Sequence, residues 1–273
     1  MKVNRSCYYA YLSRRTYQTS SLKTSCSAAV KECFHRNRRR YGSRRIAAEL
    51  KLGRAAVRKV MQTESLRAIQ PKRFTPKTTD SRHGLPICAN LLQNGTNAPV
   101  GKGEVLVGDI TYLRLADAGF CYLACLQDKF TRRIASWKVS QRMTAQLVID
   151  VFLQASRRGL IGKGVIIHTD QGSQYAAVEY RRLLYINGFR QSMSRKGNCY
   201  DNAQAESFFS RFKAELVENG IFESVEDARS EVFSYIEGYY NRIRLHLSLG
   251  YKSPLQFEKE LKIKQRSRES FVS

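Results

Sequence analysis

The run VLVGDITYLRL, residues 105–115, decides the fold together with the two runs that follow it, FCYLACLQD at 120–128 and RRIASWKVS at 132–140. All three are rich in β-branched and aromatic residues, and short polar breaks separate them. Such spacing is typical of consecutive antiparallel strands. The sequence therefore predicts a three-stranded meander.

Helices and further strands alternate after this meander. The segment TAQLVIDVFLQASRRGL (144–160) predicts a helix with Thr144 as its N-cap and Gly159 at its end. Its apolar positions at helical spacing are Leu147, Val148, Val151, Phe152 and Ala155. The other predicted elements are a buried strand at VIIH (165–168), a helix from Tyr175 to Asn187, a strand near Gly188–Ser192 and a long helix from Asn202. This order is typical of an α/β, ribonuclease H-like mixed sheet flanked by helices, although periodicity supports only the α/β class by itself.

Short helices are predicted ahead of the sheet, within residues 31–62. Gly42 ends the first, Ser43 N-caps RRIAAELKL, and Gly53 ends that second helix. In the next helix, RAAVRKVMQ, the apolar residues Ala56, Val57, Val60 and Met61 share one face. Two brief helices around a glycine-containing break predict a small all-α helix-turn-helix region.

Composition shifts give the predicted domain boundaries. Pro71, Pro76, Pro86 and Pro99 mix with Lys, Thr, Asn and Gly, which indicates an extended linker. The chain is thus divided into a basic helical region (1–70), a linker (71–103), an α/β region of alternating strands and helices (104–260) and a basic tail (261–273).

The charge is strongly positive and unevenly placed. Lys and Arg number 47 against 23 Asp and Glu, a net charge of +24. Residues 1–100 carry 21 basic and 4 acidic side chains, so +17 of the +24 lies in the first third. An excess of this size indicates a polyanionic partner, and its placement makes a mere solubility effect a poor explanation.

Several classes of protein are disfavoured. The seven cysteines include no CxxC pair and the four histidines lie far apart, so neither a zinc site nor a disulfide framework is expected. No signal peptide and no apolar run of about 18–20 residues is present, so the prediction is no membrane association and a cytoplasmic location.

Three carboxylates mark the predicted chemistry. Asp109 falls inside an apolar strand, Asp170 follows the VIIH strand directly, and Glu206 lies in the first turns of a helix. An acid inside an apolar strand is costly unless it is paired or bound to metal. Carboxylates converging at one end of a sheet suit two divalent ions, Mg²⁺ with Mn²⁺ as a substitute, which can stabilise the attacking and leaving oxygens of phosphoryl transfer.

Basic side chains near these elements are candidates for contact with nucleic acid. They are Arg44, Arg45, Arg54, Arg58, Lys59, Arg195, Lys196 and Lys213. For Lys213, one or two turns beyond Glu206, contact with a phosphate and simple solvation remain alternatives. Phe208, Phe209 and Phe212 are expected to pack in the core.

The motifs resemble those of bacterial insertion-sequence transposases of the second-reading-frame (OrfB) type, which have a retroviral-integrase-like core. The similarity spans about residues 31–260 and is carried by GDITY, HTDQGSQY, SMSRKGNCYDNAQAESFF and YYNRIRLHLSLGYKSPLQF, with YGSRRIAAEL similar to the helix-turn-helix of these proteins. The resemblance implies that Asp109, Asp170 and Glu206 form the metal-binding DDE triad, with the family's 35-residue spacing between the last two.

The resemblance also implies partners and a setting. These are DNA (the terminal inverted repeats of the element and target DNA), an upstream-frame protein or fusion with it, a homo-oligomer on DNA, and association with the bacterial nucleoid. Two residues depart from the family pattern: Leu106 replaces a tryptophan, and Leu247 replaces a small residue. An apolar residue at 106 should keep the strand buried without loss of chemistry.

Two other functions share part of this pattern. A catalytically inactive DNA-binding remnant or repressor would use the basic first third, but the intact acidic triad argues against it. A ribonuclease H-like nuclease acting on structured DNA or RNA would share the acidic cluster without needing the basic first third.

Overall fold

One mixed sheet forms the larger part of the described structure. The computed structural model describes residues 4–13, 21–71, 84–95, 97–160, 162–195, 203–216 and 221–269, in two compact units, Met1–Ile69 and Gln70–Ser273. The strands of the second unit are β1 (Val105–Leu115), β2 (Phe120–Asp128), β3 (Ile134–Ser140), β4 (Ile166–Thr169), β5 (Arg190–Met193) and β6 (Ile221–Phe222). Their order is β3-β2-β1-β4-β5, with the short β6 paired to β1.

The strand directions are those of the predicted ribonuclease H-like fold. β1, β2 and β3 form an antiparallel meander, whereas β4 and β5 are parallel to β1. The predicted bounds of β1 and β2 are confirmed, and β3 begins at Ile134, two residues later than predicted.

Helices cover both faces of the sheet. They are α5 (Ala145–Arg157), α6 (Ser173–Ala176), α7 (Val178–Ile186), α8 (Ala203–Leu216), α9 (Val225–Phe233), a π-helical segment (Ser234–Tyr240) and α10 (Pro254–Glu269). One core cluster holds the predicted apolar face of α5 together with Leu106, which is buried as expected. The other cluster contains Phe208, Phe209 and Phe212 of α8, and their predicted packing is confirmed.

The structure corrects several local predictions. The helix predicted from Tyr175 to Asn187 is two helices, because Ala177 adopts an extended conformation between α6 and α7. The next strand begins at Arg190, since Gly188 has a positive φ of 74° and ends the preceding turn. Thr144 is the N-cap of α5 but makes no side-chain capping bond there. The predicted N-cap Asn202 lies outside the described residues.

Part of the predicted linker packs on the sheet. Cys88 donates a hydrogen bond from Sγ to Gln191 Oε1 at 3.2 Å, and the N–H of Leu91 donates to Ser192 Oγ at 2.9 Å. At the other end α10 runs without a break from Pro254 to Glu269, so the predicted basic tail begins as helix. Within the described ranges no helix is long and apolar enough to cross a membrane.

The first unit consists of helices, which are α1 (Arg5–Leu12), α2 (Ser21–Arg36), α3 (Ser43–Leu50) and α4 (Arg54–Thr63). The predicted caps were wrong: Gly42 is the N-cap of α3, Lys51 ends it in the left-handed conformation, and Gly53 is the N-cap of α4. On α4, Val57 and Met61 are buried, whereas Ala56 is exposed. The pair α3–α4 with its three-residue turn has the connectivity of a helix-turn-helix.

A buried ion pair fixes the C-terminal half of α8. Arg244 donates to Glu215 through Nη2 at 2.8 Å and through Nε at 3.0 Å, and Tyr235 Oη donates to Glu215 Oε2 at 2.8 Å. Both charged side chains are almost fully enclosed, with exposures of 4% and 2%. The charge of Glu215 raises the pKa of Arg244 despite this burial.

We expect Glu215→Gln to lower the free energy of unfolding by about 3–5 kcal/mol, because it leaves the Arg244 cation buried without its counter-charge. The matched control is Lys252→Gln, which removes one partner of the solvent-exposed Lys252–Glu260 pair and should cost less than about 1 kcal/mol. Urea denaturation followed by circular dichroism measures both. Equal effects of the two substitutions would contradict the assigned role of the Glu215–Arg244 pair.

Candidate active site and nucleic-acid interface

Asp109 of β1 lies beside Asp170, which directly follows the neighbouring strand β4. The parallel register pairs Val107 of β1 with His168 of β4, so two further residues bring Asp109 level with Asp170 at the end of β4. Gly108 permits this approach, since a Cβ there would lie 3.1 Å from Leu126 Cδ2 and 3.2 Å from Thr169 Cγ2. The sheet register therefore brings together two of the three predicted acids.

Both aspartates are held by backbone N–H groups. Asp109 Oδ1 accepts from the N–H of Ile110 at 2.9 Å. Asp170 Oδ1 accepts from the N–H of Gly172 at 3.0 Å, in a tight turn after β4. Each of these bonds engages only one carboxylate oxygen, so the orientation of each carboxylate is restrained.

The charge of Asp109 is electrostatically unfavourable. Burial raises the pKa of Asp109 well above its ordinary value, and the neighbouring Asp170 carboxylate raises it further, with a smaller contribution from Glu206. The side chain is half-buried, so it remains accessible from one side. A raised carboxylate pKa means that the ionised form lacks sufficient positive charge or solvation around it.

Glu206 reaches the same region from α8. It lies in the first turn of the helix and is exposed, while the phenylalanines of α8 anchor the opposite side in the core. Its pKa is raised by partial burial first and by the charge of Asp170 second. Three carboxylates from separate elements, β1, the end of β4 and α8, therefore interact electrostatically.

The donor set suits a hard divalent cation in its chemistry. All three groups are carboxylates, the ligands that Mg²⁺ prefers, and a cation between them would offset the burial and the repulsion that raise the pKa values of Asp109 and Glu206. Among the described residues, no three His, Cys, Asp or Glu side chains lie close enough together to hold an ion as they stand. Shared ligation therefore requires side chains to turn inward, and exposed Glu206 has the most room to do so.

Lys213 stands beside this acidic cluster. Its Nζ lies 4.1 Å from the centre of the Tyr112 ring, and Tyr112 packs edge-on against Phe120 at 5.4 Å. Burial lowers the pKa of Lys213, while the charge of Asp109 opposes that shift. The ammonium is therefore a half-buried cation next to the carboxylates and not a freely solvated one.

The predicted nucleic-acid contacts are distributed over both units. Arg44, Arg54, Arg58 and Lys59 are exposed, the last three on α4, which follows the helix-turn-helix turn. Arg45 lies with its guanidinium 5.6 Å from the centre of the Tyr41 ring. Arg195 is exposed after β5, and Lys196 lies outside the described residues.

Sequence reasoning missed the roles of three residues that support the site. Asn241 bonds to both the N–H and the C=O of Ile134, at 3.0 and 3.1 Å, and so ties the start of β3 to the end of the π-helical segment. Arg244 pairs with Glu215, and Tyr240 Oη accepts from Gln127 Nε2 at 2.7 Å. Their only sequence signal is the clustering of polar and aromatic residues in YYNRIR.

His168, the first residue of HTDQGSQY, also has a structural partner. It is fully buried, and its Nδ1 lies 2.8 Å from Ser192 Oγ on β5. Because β4 and β5 are adjacent, this contact braces the strand that ends at Asp170.

Comparison with known proteins gives consistent matches along the chain. Residues 25–74 match the family described as HTH-like domain, and residues 99–199 and 187–254 match two families described as Integrase core domain. The transposase InsF for insertion sequence IS3A of Escherichia coli is 39% identical over 265 residues, covering 94% of this chain and 91% of that protein. A 31 kDa protein of insertion element IS600 from Shigella sonnei is 36% identical over 263 residues, covering 94% and 96%.

Solved structures with partial likeness are viral integrases. The catalytic core domain of HTLV-2 integrase in complex with magnesium aligns at a TM-score of 0.42 and 15% identity, covering 58% of this chain and 97% of that one. The simian T-cell lymphotropic virus intasome aligns at a TM-score of 0.45 and 16% identity, covering 79% and 74%. The assignment depends on the sequence relatives: this chain belongs to the family of insertion-sequence transposases with an integrase core domain that includes InsF.

Proposed function

We propose that this transposase cuts and joins DNA strands at a site formed by Asp109, Asp170 and Glu206. The observation that carries the proposal is the adjacency of Asp109 and Asp170 on β1 and β4, with Glu206 of α8 in electrostatic contact with both. Like charges gathered at this cost are typical of a site that is completed by cations.

Each acid has a distinct part in holding the metal ions. The N–H groups of Ile110 and Gly172 each orient one oxygen of Asp109 and Asp170, and so restrain both carboxylates for ligation. Glu206 supplies the third carboxylate from an exposed side chain on a well-anchored helix. When bound, two Mg²⁺ ions, or Mn²⁺ in their place, supply Lewis-acid activation of the attacking oxygen and stabilise the leaving oxygen.

The same acids serve two reactions. In cleavage the nucleophile is water, and in strand transfer it is the 3′-hydroxyl of the cut DNA. In both, the nucleophile loses a proton and forms a new P–O bond, while the P–O bond to the leaving oxygen breaks and that oxygen is released as a 3′-hydroxyl; water leaves a 5′-phosphate, and the DNA hydroxyl forms a new phosphodiester. Lys213 is positioned by Tyr112 to face a phosphate oxygen beside the acids, where its charge reduces the repulsion between DNA and the carboxylates.

Recognition of DNA is assigned to the first unit. In this proposal, residues 1–70 bind DNA through α3 and α4. Residues 71–103 connect this region to the catalytic core at 104–260, and residues 261–273 form a basic tail. Exposed Arg54, Arg58 and Lys59 give affinity without much base discrimination, since α4 offers few amide side chains for reading bases. Selection of the terminal inverted repeats against target DNA would then need the upstream-frame protein, as a partner or fusion, and a homo-oligomer that bridges two ends, in the bacterial nucleoid.

A first prediction concerns the three acids. Asp109→Asn, Asp170→Asn and Glu206→Gln should each reduce cleavage and strand transfer by roughly 10³-fold or more while DNA affinity stays unchanged, because the three act as a unit. The control is Glu179→Gln, which removes an exposed carboxylate on α7 and should leave activity intact. Nicking assays on labelled duplex measure both, and near-normal activity in two of the three variants would refute the site.

A second prediction concerns the metal. Mg²⁺ and Mn²⁺ should support turnover and Ca²⁺ should bind with little turnover, since its longer bonds and looser geometry misalign the reacting oxygens. Ca²⁺ should raise the melting temperature of the wild type but not of Asp109→Asn. Without metal, Asp109→Asn should be the more stable protein, by about 1 kcal/mol, because the buried charge is gone. Activity in excess chelator would contradict the mechanism.

A third prediction concerns the affinity of the first unit for DNA. Replacing Arg54, Arg58 and Lys59 by Gln should weaken binding of random duplex and flatten the plot of log affinity against log salt by about 0.9 for each phosphate that is no longer neutralised. The control removes three exposed cations of α10, namely Lys262, Lys264 and Arg266. An equal or larger effect of the control would move the main DNA-binding surface to the C-terminal helix.

A further inference from the structure

A groove runs along the outer edge of the sheet in the second unit. It has a cavity volume of about 560 Å³ and lies between β3, α5 and α9. We call it the edge groove; the lining residues used below are Trp137, Lys138, Asp150, Arg157, Arg158 and Arg229. None of them belongs to the candidate active site or to the predicted nucleic-acid contacts.

The edge groove holds more positive charge than its own acid neutralises. Lys138 Nζ lies 2.5 Å from Asp150 Oδ2, and Arg157 adds only a weaker, longer-range attraction to the same carboxylate, whose pKa is lowered chiefly by its bonds to Lys138 and Gln146. Arg157 and Arg229 are exposed and make no hydrogen bond or ion pair with the residues that the structure describes. Two guanidinium groups on different helices therefore line one cavity without an ion pair among the described residues.

The edge of β3, which forms one wall of the groove, is protected against pairing with a further strand. The outward N–H of Trp137 donates to Gln154 Oε1 at 3.0 Å, and the C=O of Ala135 accepts from Arg158 at 3.3 Å. Side chains thus occupy these positions on the free edge of β3, the usual protection of an edge strand. An occupant of the groove is accordingly selected by charge and not by strand addition.

We propose that the edge groove binds backbone phosphates of DNA through Arg157 and Arg229. A guanidinium group can donate two parallel hydrogen bonds to the oxygens of one phosphate. Ligand-binding cavities in proteins usually have volumes of roughly 300–1,000 Å³, and the volume of the edge groove falls within this range. The groove also lies close to the candidate active site: Asp109 pairs with Cys125 and Cys125 with Trp137, so β3 is two strands from β1. At about 4.8 Å per strand this is some 10 Å, a few base pairs along a duplex.

The inference rests on the transposase function only for the identity of the polyanion. A duplex held at the acids would be contacted a second time beside β3, which would fix its direction across the sheet. The groove binds DNA whether or not the acids are catalytic.

Trp137 makes the groove directly observable. It is the single tryptophan of the chain, it lines the groove, and its Nε1 donates to Glu237 Oε1 at 3.1 Å. The intrinsic fluorescence of the full-length protein is recorded during titration with a short duplex of scrambled sequence at physiological salt, while fluorescence anisotropy of the labelled duplex reports total binding. We expect a saturable change in Trp137 emission that follows binding.

The double variant Arg157→Gln, Arg229→Gln should abolish the Trp137 response and lower the salt slope by up to about 1.8, which is two phosphates at 0.9 each. Arg157→Lys with Arg229→Lys should keep most of the response. The control Lys163→Gln, Arg182→Gln removes two exposed cations elsewhere in the same unit and should leave the response intact. Melting temperatures check that the fold is unchanged.

Three outcomes would overturn the proposal: DNA binding without a Trp137 response, equal reductions in the groove variant and the control, or a Trp137 signal that depends on protein concentration without DNA. The last would assign the groove to a second copy of the chain, as sedimentation would show.

The Asp109→Asn variant separates the two proposals. It should show the full Trp137 response, and if it also retained strand cleavage, the active-site assignment would fail while the groove assignment stood.

Discussion

The repulsion between Asp109 and Asp170 is the constraint on which the rest of the architecture depends. The Asp109 carboxylate loses solvation on burial and is repelled by Asp170 at the end of the neighbouring strand, and both effects raise the free energy of the fold. The two aspartates stay there because the register is fixed from both sides: Gly108 lets β4 approach β1 closely, and His168 braces β4 against β5 through Ser192. A looser sheet would relieve the repulsion by moving the strands apart, and it would then lose the geometry that the proposed metal site needs.

The third acid depends on a second and separate set of contacts. Glu206 sits on α8, whose distal end is tied by the buried Glu215–Arg244 pair to the segment after the π-helical turn. In that same segment Asn241 holds the start of β3. The motif YYNRIRLHLSL, far from the acids in sequence, therefore couples the helix of Glu206 to the edge of the sheet, which is a reason for Asn241 and Arg244 to be buried.

The sequence predicted the longer helices and strands better than the breaks and short elements between them. Alternation and helical spacing report which face of a segment is buried, so the bounds of β1 and β2 and the buried face of α5 were predicted correctly. The break at Ala177 and the short β6 were missed, because both depend on tertiary contacts that leave no periodicity. The same holds for Asn241, whose partner lies 107 residues away. The adjacency of the acids could be expected from their motifs, but their incomplete convergence could not, since it depends on side-chain rotation.

An acidic site poses an electrostatic problem for an enzyme whose substrate is a polyanion. Carboxylates repel phosphates, yet the reacting phosphate must come within contact distance of them. The positive charge of this chain reduces this repulsion at three distances from the acids. The +17 of the first hundred residues attracts DNA from a distance. The arginines of the edge groove would hold the backbone beside β3, two strands from the strand of Asp109, and the ammonium of Lys213, packed on Tyr112, interacts electrostatically with Asp109. Bound cations would supply the last part of the compensation, because a metal ion between the carboxylates and a DNA phosphate attracts both.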